Sequence, residues 1–171
     1  MNEFNRINKL TIILFIIYLI AIFEIIVFKL ELPFSQVGQF RNINFIPFHE
    51  SMIVNGQVNY SEIIMNIIIF IPLGIYVEMI FSRWSTFHKV IISFLVSLMC
   101  EVLQYIFALG ASDITDIINN TLGGIIGLLI IKVLIKLFNN RSKVYRFINV
   151  VATIGTVVMG LLLAILIIAN R

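Results

Sequence analysis

Five apolar runs, Leu10–Phe28, Ile63–Phe81, Val90–Leu109, Ile117–Phe138 and Ile148–Ile168, dominate the chain and are separated by stretches that hold most of its charge. Each run is close to the roughly 20 residues that a helix needs to cross a hydrocarbon core of about 30 Å. Lipid offers no partner to an unpaired strand edge, and none of the runs alternates as barrel strands do, so helix is expected for all of them. The pattern predicts an all-α, polytopic transmembrane helix bundle of about five spans. No repeat, low-complexity segment or linker divides the chain, so residues 1–171 are read as a single membrane domain.

Arg6 and Lys9 ahead of the first run resemble the basic start of a signal peptide. The run is too long for that and lacks a small-x-small cleavage site, so a retained first span is expected. The connection Glu31–Glu62 is long enough to be expected either to serve a function or to be disordered. Its middle, Arg41–Phe48, sets asparagines beside aromatics, a composition suited to lying in the interface or dipping into the bundle.

Basic residues divide between two sides. Arg6 and Lys9, Arg83 and Lys89, and then Lys136, Arg141, Lys143 and Arg146 fall on one; the other keeps Lys29, Arg41 and Arg171, with no base in Gly110–Ser112. Short cytoplasmic loops retain Lys and Arg, so the N-terminus is expected inside and the C-terminus outside.

Composition sharpens this picture. At 60% hydrophobic and 12% charged residues a soluble domain is excluded. The net charge of +3 is scattered between apolar runs, which argues against nucleic acid as a partner. The single cysteine, Cys100, supplies neither a disulfide nor a cysteine-based metal site.

Ionisable groups inside a span cost about 2.5–3.5 kcal/mol each on the insertion scale, so each needs a reason. Glu101 and Gln104 in the third span are three residues apart and share a helical face. Asp113, Asp116 and Asn120 at the start of the fourth share another, with the acids where the helix dipole favours negative charge. The second span adds Asn66, then Pro72 and Gly74, which permit a kink and close helix approach. With the expected orientation Glu101 lies about 12 Å inward of Leu109, so polar groups of three spans converge on the outer half of the membrane. A hydrophilic pocket opening to the outer leaflet satisfies them together. Its candidate residues are Arg41, Asn42, Asn44, Asn66, Glu101, Gln104, Asp113, Asp116 and Asn120.

Plainer roles stand beside this reading. Asp113 suits a helix N-cap, and Asp116 and Asn120 suit structural hydrogen bonds between helices. Glu101 is harder to explain structurally: its carboxyl must be kept neutral or paired, for instance with Arg41. Glu78 is expected to snorkel or to pair with Arg83, while Glu24 and Glu62 sit near the outer interface. Gly123-x-x-x-Gly127 is a helix-packing motif rather than a phosphate loop. His49-Glu50 with Asp113 and Asp116 lacks metal-ligand spacing, and no Ser-His-Asp set is legible, because His88 falls on the cytoplasmic side and His49 has no obvious serine partner; no metal and no other cofactor is expected.

The segments Asn44-Phe45-Ile46-Pro47-Phe48, Asn66 to Gly74 with Pro72-Leu73-Gly74, Glu101-x-x-Gln104, and Asp113-x-x-Asp116-x-x-x-Asn120-Thr121-Leu122-Gly123-Gly124-x-x-Gly127 together resemble the VanZ-like family. The motifs cover about Arg41–Gly127, within a VanZ-like region of about 41–138; the first span and an extra C-terminal span at about 148–168 lie outside it. The resemblance implies a bacterial plasma-membrane protein linked to glycopeptide resistance, to teicoplanin more than vancomycin. Many such proteins carry an arginine just before the first Asp of the fourth-span motif, whereas this chain reads Gly110-Ala111-Ser112, leaving Arg41 as the cation for Asp113.

Three functions compete. In the first, the pocket holds a membrane lipid, a lipid-linked wall precursor or the tail of a lipoglycopeptide. In the second it is an enzyme on such a lipid, with Glu101 as general acid or base and Asp113 and Asp116 positioning the substrate or a cation; no activated nucleophile is visible, which favours binding over catalysis. The third, an ion-coupled transporter, lacks an inverted repeat in the chain.

Overall fold

Helices in lipid already satisfy their own backbone, so their packing is decided by where small and polar side chains let them meet. The computed structural model describes residues 9–27, 40–47, 53–54, 57–58 and 60–169. Its helices are α1 (Lys9–Ile26), α2 (Tyr60–Ile80), α3 (Thr86–Phe107), α4 (Ile114–Phe138) and α5 (Arg141–Ala169), and its strands are β1 (Phe40–Asn44), β2 (Ile53–Val54), β3 (Gln57–Val58) and β4 (Leu109–Asp113). All five helices are long and apolar enough to cross a membrane, as the apolar runs predict.

The centre of the bundle is a close approach of α2 to α4, made possible by glycine. Gly74 lies against the carbonyl of Gly124, Gly123 against that of Ile67, and Gly127 against that of Ile71, while the other side of Gly124 receives Ser93 of α3. A β-carbon at any of these positions would collide with its neighbour. α2 continues as helix through Pro72. Around this spine Ile22, Ile26 and Val27 at the end of α1 pack on Phe70, Leu73, Val77 and Cys100. Leu14, Tyr76, Met79, Ile131 and Val144 join α1, α2, α4 and α5. Thr11 of α1 and Asn149 of α5 bond reciprocally through their side chains at 2.8 and 3.2 Å.

α3 shows how the membrane inverts the usual burial pattern. Its inward stripe is polar, with Lys89, Ser93, Ser97, Glu101 and Gln104 all buried. Its outward stripe, Phe94, Leu95, Met99, Val102 and Ile106, is exposed, as are Val150, Val151, Ile154, Val157 and Leu161 of α5. Those faces meet lipid tails.

Two features differ from the sequence reading. Glu78 pairs with Lys89, not Arg83: Lys89 Nζ lies 2.7 Å from Glu78 Oε2 and 3.3 Å from the Ser82 carbonyl. α3 begins at Thr86, four residues before its apolar run, which turns Lys89 inward and leaves Arg83 exposed in the preceding turn. The second difference is a short parallel ladder: β1 pairs with β4 in the register Phe40↔Leu109 to Asn44↔Asp113. The connection between α3 and α4 is thus a strand, its backbone groups satisfied by the middle of the long first connection, which returns to the bundle as its composition suggested. β2 and β3 form a two-residue antiparallel pair. Ala108 at φ 52° turns the chain from α3 into β4.

The glycine spine gives a direct test. Gly124→Val or Gly127→Val drives a side chain into backbone that cannot step aside, and should destabilise the bundle by at least the 1–3 kcal/mol or so typical of overpacking. Gly155→Val in α5, where an added carbon meets nothing, should leave thermal unfolding in nanodiscs and membrane accumulation near wild type.

Candidate functional site

At the end of the bundle where α2 and α4 begin and α3 finishes, helix phase gathers polar groups from all three. Asn66, one turn and a half into α2, donates from Nδ2 to Asp116 Oδ1 of α4 at 2.7 Å. Glu101 and Gln104, on one face of α3 as their spacing requires, are 3% and 4% exposed. Gln104 donates from Nε2 to the Ile26 carbonyl at the end of α1, 2.8 Å away. Asn120, one turn into α4 from Asp116, is fully buried and donates from Nδ2 to Ser97 Oγ at 3.0 Å.

Beside these groups the β1–β4 ladder forms a rigid edge. Asp113 is the N-cap of α4: its Oδ1 accepts from the Thr115 amide at 2.7 Å. Its Oδ2 accepts from Asn44 Nδ2 at 3.0 Å, and its own amide donates to Glu101 Oε2 at 3.0 Å. Asn44 Oδ1 accepts from the Ile46 amide at 3.0 Å, fixing the turn that follows β1. Ser112 Oγ donates to the Glu101 carbonyl at 2.7 Å. The Glu101 carboxylate is therefore held from the strand that follows its own helix, and that strand is held by β1.

A cavity of about 270 Å³ opens between α1, α2, α3 and α4. Its polar lining comes from Glu62, Asn66, Glu101, Gln104, Asp116 and Asn120, and its apolar walls from Ile25, Ile26, Met65 and Ile69. Of the residues named from sequence, Asn66, Glu101, Gln104, Asp116 and Asn120 line it, while Asn44 and Asp113 brace Glu101 from outside it. Arg41 and Asn42 are part of β1, but their side chains, like Lys29 and His49, lie outside the described residues. The sequence reading did not assign Glu62 to the pocket. Its position one turn before Asn66, on the same face of α2, is the signal that would have included it. Asn119, also buried, is not among the candidates named from sequence.

Chemically the cavity combines carboxyl and amide groups with hydrocarbon in one lining, the two kinds of surface that an amphiphile presents. It is slightly below the roughly 300 Å³ at which small-molecule pockets begin, large enough for a compact head group with its first methylenes. Among the described residues no three His, Cys, Asp or Glu side chains gather to hold a metal.

The chain matches the family model described as VanZ/LLP1 over residues 15–137, which takes in most of α1 and nearly all of α4. It is similar to Protein VanZ of Enterococcus faecium, with 34% identity over 149 residues covering 86% of each chain. No solved structure matches it.

The double role of Asp113 predicts graded losses. Asp113→Asn keeps an oxygen for the Thr115 amide but loses a good partner for Asn44, while Asp113→Ala loses both bonds. The alanine variant should unfold at lower temperature than the asparagine variant, by about the 1 kcal/mol that a helix N-cap contributes, in nanodisc melting curves.

Proposed function

The chain belongs to the VanZ/LLP1 family, and from that premise and the cavity's lining we propose that this multi-pass membrane protein binds the head of an outer-leaflet amphiphile. By doing so it contributes to resistance to glycopeptides, teicoplanin in particular, or to homeostasis of the cell envelope. The amphiphile is a membrane lipid, a lipid-linked wall precursor or a lipoglycopeptide. The observation that carries the proposal is the union, in one cavity, of Glu101, Asp116, Asn66, Gln104 and Asn120 with the apolar walls of Ile25, Met65 and Ile69. Buried acids and amides in a span are costly unless they serve one another or a ligand.

The orientation is the N-terminus inside and the C-terminus outside. Exposed Arg83, Lys136, Lys143 and Arg146 cluster at the α2–α3 and α4–α5 turns, with Trp84 and Phe87 beside them, as expected of a cytoplasmic interface. The cavity is at the opposite end of α2, α3 and α4 and so faces the outer leaflet. A second reading, catalysis on a lipid-linked substrate with Glu101 as general acid or base, draws on the fixed position of Glu101 Oε2 beside the Asp113 amide.

Expression in a susceptible Gram-positive host tests both. Wild type should raise the inhibitory concentration of teicoplanin severalfold, and Glu101→Gln and Asp116→Asn, at equal membrane levels, should remove the rise. A lipid profile unchanged by wild type supports binding; a new lipid or wall-precursor species that disappears in Glu101→Gln supports catalysis. No rise with well-expressed wild type contradicts the resistance role.

A further inference from the structure

The connection between α3 and α4 does not leave the bundle where α3 ends. Ala108, in the left-handed region at φ 52°, reverses the chain, and β4 runs back along α3. Ser112 Oγ donates to the Glu101 carbonyl at 2.7 Å, and the Asp113 amide donates to Glu101 Oε2 at 3.0 Å. Glu101 precedes Phe107, the last residue of α3, by six positions, so α4 starts about 9 Å inward of that end. α2 gives an independent measure. Asn66, six positions past the start of α2, bonds Asp116, only two past the start of α4, which puts the start of α4 about 6 Å deeper than that of α2.

β1 is parallel to β4, with Asn44 opposite Asp113, so it descends in the same direction. The residues that follow, Phe45–Pro47, therefore lie at the depth of Glu101 or below it. Asn44 holds them there: its Nδ2 donates to Asp113 Oδ2 and its Oδ1 accepts from the Ile46 amide, both at 3.0 Å. At this depth the outer face of α3, with Met99, Val102 and Ile106, is exposed to lipid. Phe45 and Ile46 are 74% and 59% exposed, and Pro47 is exposed beside them. Non-helical backbone inside a membrane must have its polar groups satisfied by protein, which the ladder with β4 does for β1. What the ladder leaves outward is hydrocarbon, three successive side chains with no charge and no hydrogen-bonding group. We infer that Phe45, Ile46 and Pro47 form a re-entrant tip that inserts among the acyl chains of the leaflet on the cavity side. This placement goes beyond the proposed function and holds whichever end of the bundle faces the cytoplasm and whatever the cavity binds.

Trp84 is the single tryptophan of the chain, so Phe45→Trp in a Trp84→Phe background reports from the tip alone. Tyr60→Trp in the same background reports from the exposed start of α2, nearer the membrane surface. Each full-length protein is reconstituted in phosphatidylcholine vesicles whose acyl chains are plain or brominated at mid-chain, with iodide supplied on both sides of the membrane. The tip tryptophan should emit to the blue of the Tyr60→Trp protein, lose most of its intensity to the brominated chains and be spared by iodide. Ile46→Trp should behave alike, and it carries the test if Phe45→Trp does not fold. Emission to the red with quenching by iodide places the tip in water and overturns the inference. Protection from bromine and iodide alike places it against protein, such as a second copy of the chain, and overturns it equally.

Discussion

The bundle depends on one steric constraint: α2 and α4 must meet backbone to backbone. In lipid there is little hydrophobic gain from burying one apolar face on another, so helix association relies on close van der Waals contact and interhelical hydrogen bonds. Gly74, Gly123 and Gly127 provide that contact by leaving carbonyls where side chains would otherwise stand. Its effect reaches the cavity. Only with the two helices this close can Asn66 reach Asp116, and only with Ser93 seated on Gly124 does α3 lie near enough for Ser97 to meet Asn120.

A second consequence is that the inside of the bundle is polar. Lys89 and Glu78 form a buried ion pair toward one end of the α3 stripe, and Glu101 with Gln104 closes the other, next to the cavity. A buried pair offsets most of its desolvation cost by its own attraction and is weak evidence for net stability. The two ends differ in kind. The Glu78–Lys89 end is matched acid to base, whereas at the cavity end Gln104 Oε1 and Asn120 Oδ1 have no hydrogen-bond partner among the described residues.

The spans were legible in the sequence because lipid imposes length and hydropathy on every one of them, and the shared faces of Glu101 with Gln104 and of Asp116 with Asn120 follow from helical spacing alone. The glycine contact was legible in kind, as a packing motif, though its partner helix was not. The β1–β4 ladder was hidden for a different reason: Leu109–Asp113 has no alternating pattern, and its partner strand lies nearly seventy residues earlier, where register depends on how the first connection folds back. The Glu78–Lys89 pair is not legible from hydropathy alone, because a lysine at the end of an apolar run can be the first turn of the helix as easily as the loop before it. Glu62 reads as an interface residue because nothing in the sequence says how far the cavity extends toward the surface.

Every functional statement above requires the acid-lined cavity to face the outside of the cell. Single cysteines at Glu62, at the cavity, and at Trp84, in the α2–α3 turn, treated with a membrane-impermeant maleimide on intact cells, test this most directly. The account predicts that Glu62→Cys is labelled on intact cells and Trp84→Cys only after permeabilisation. The reverse pattern would turn the cavity toward the cytoplasm and contradict the outer-leaflet function.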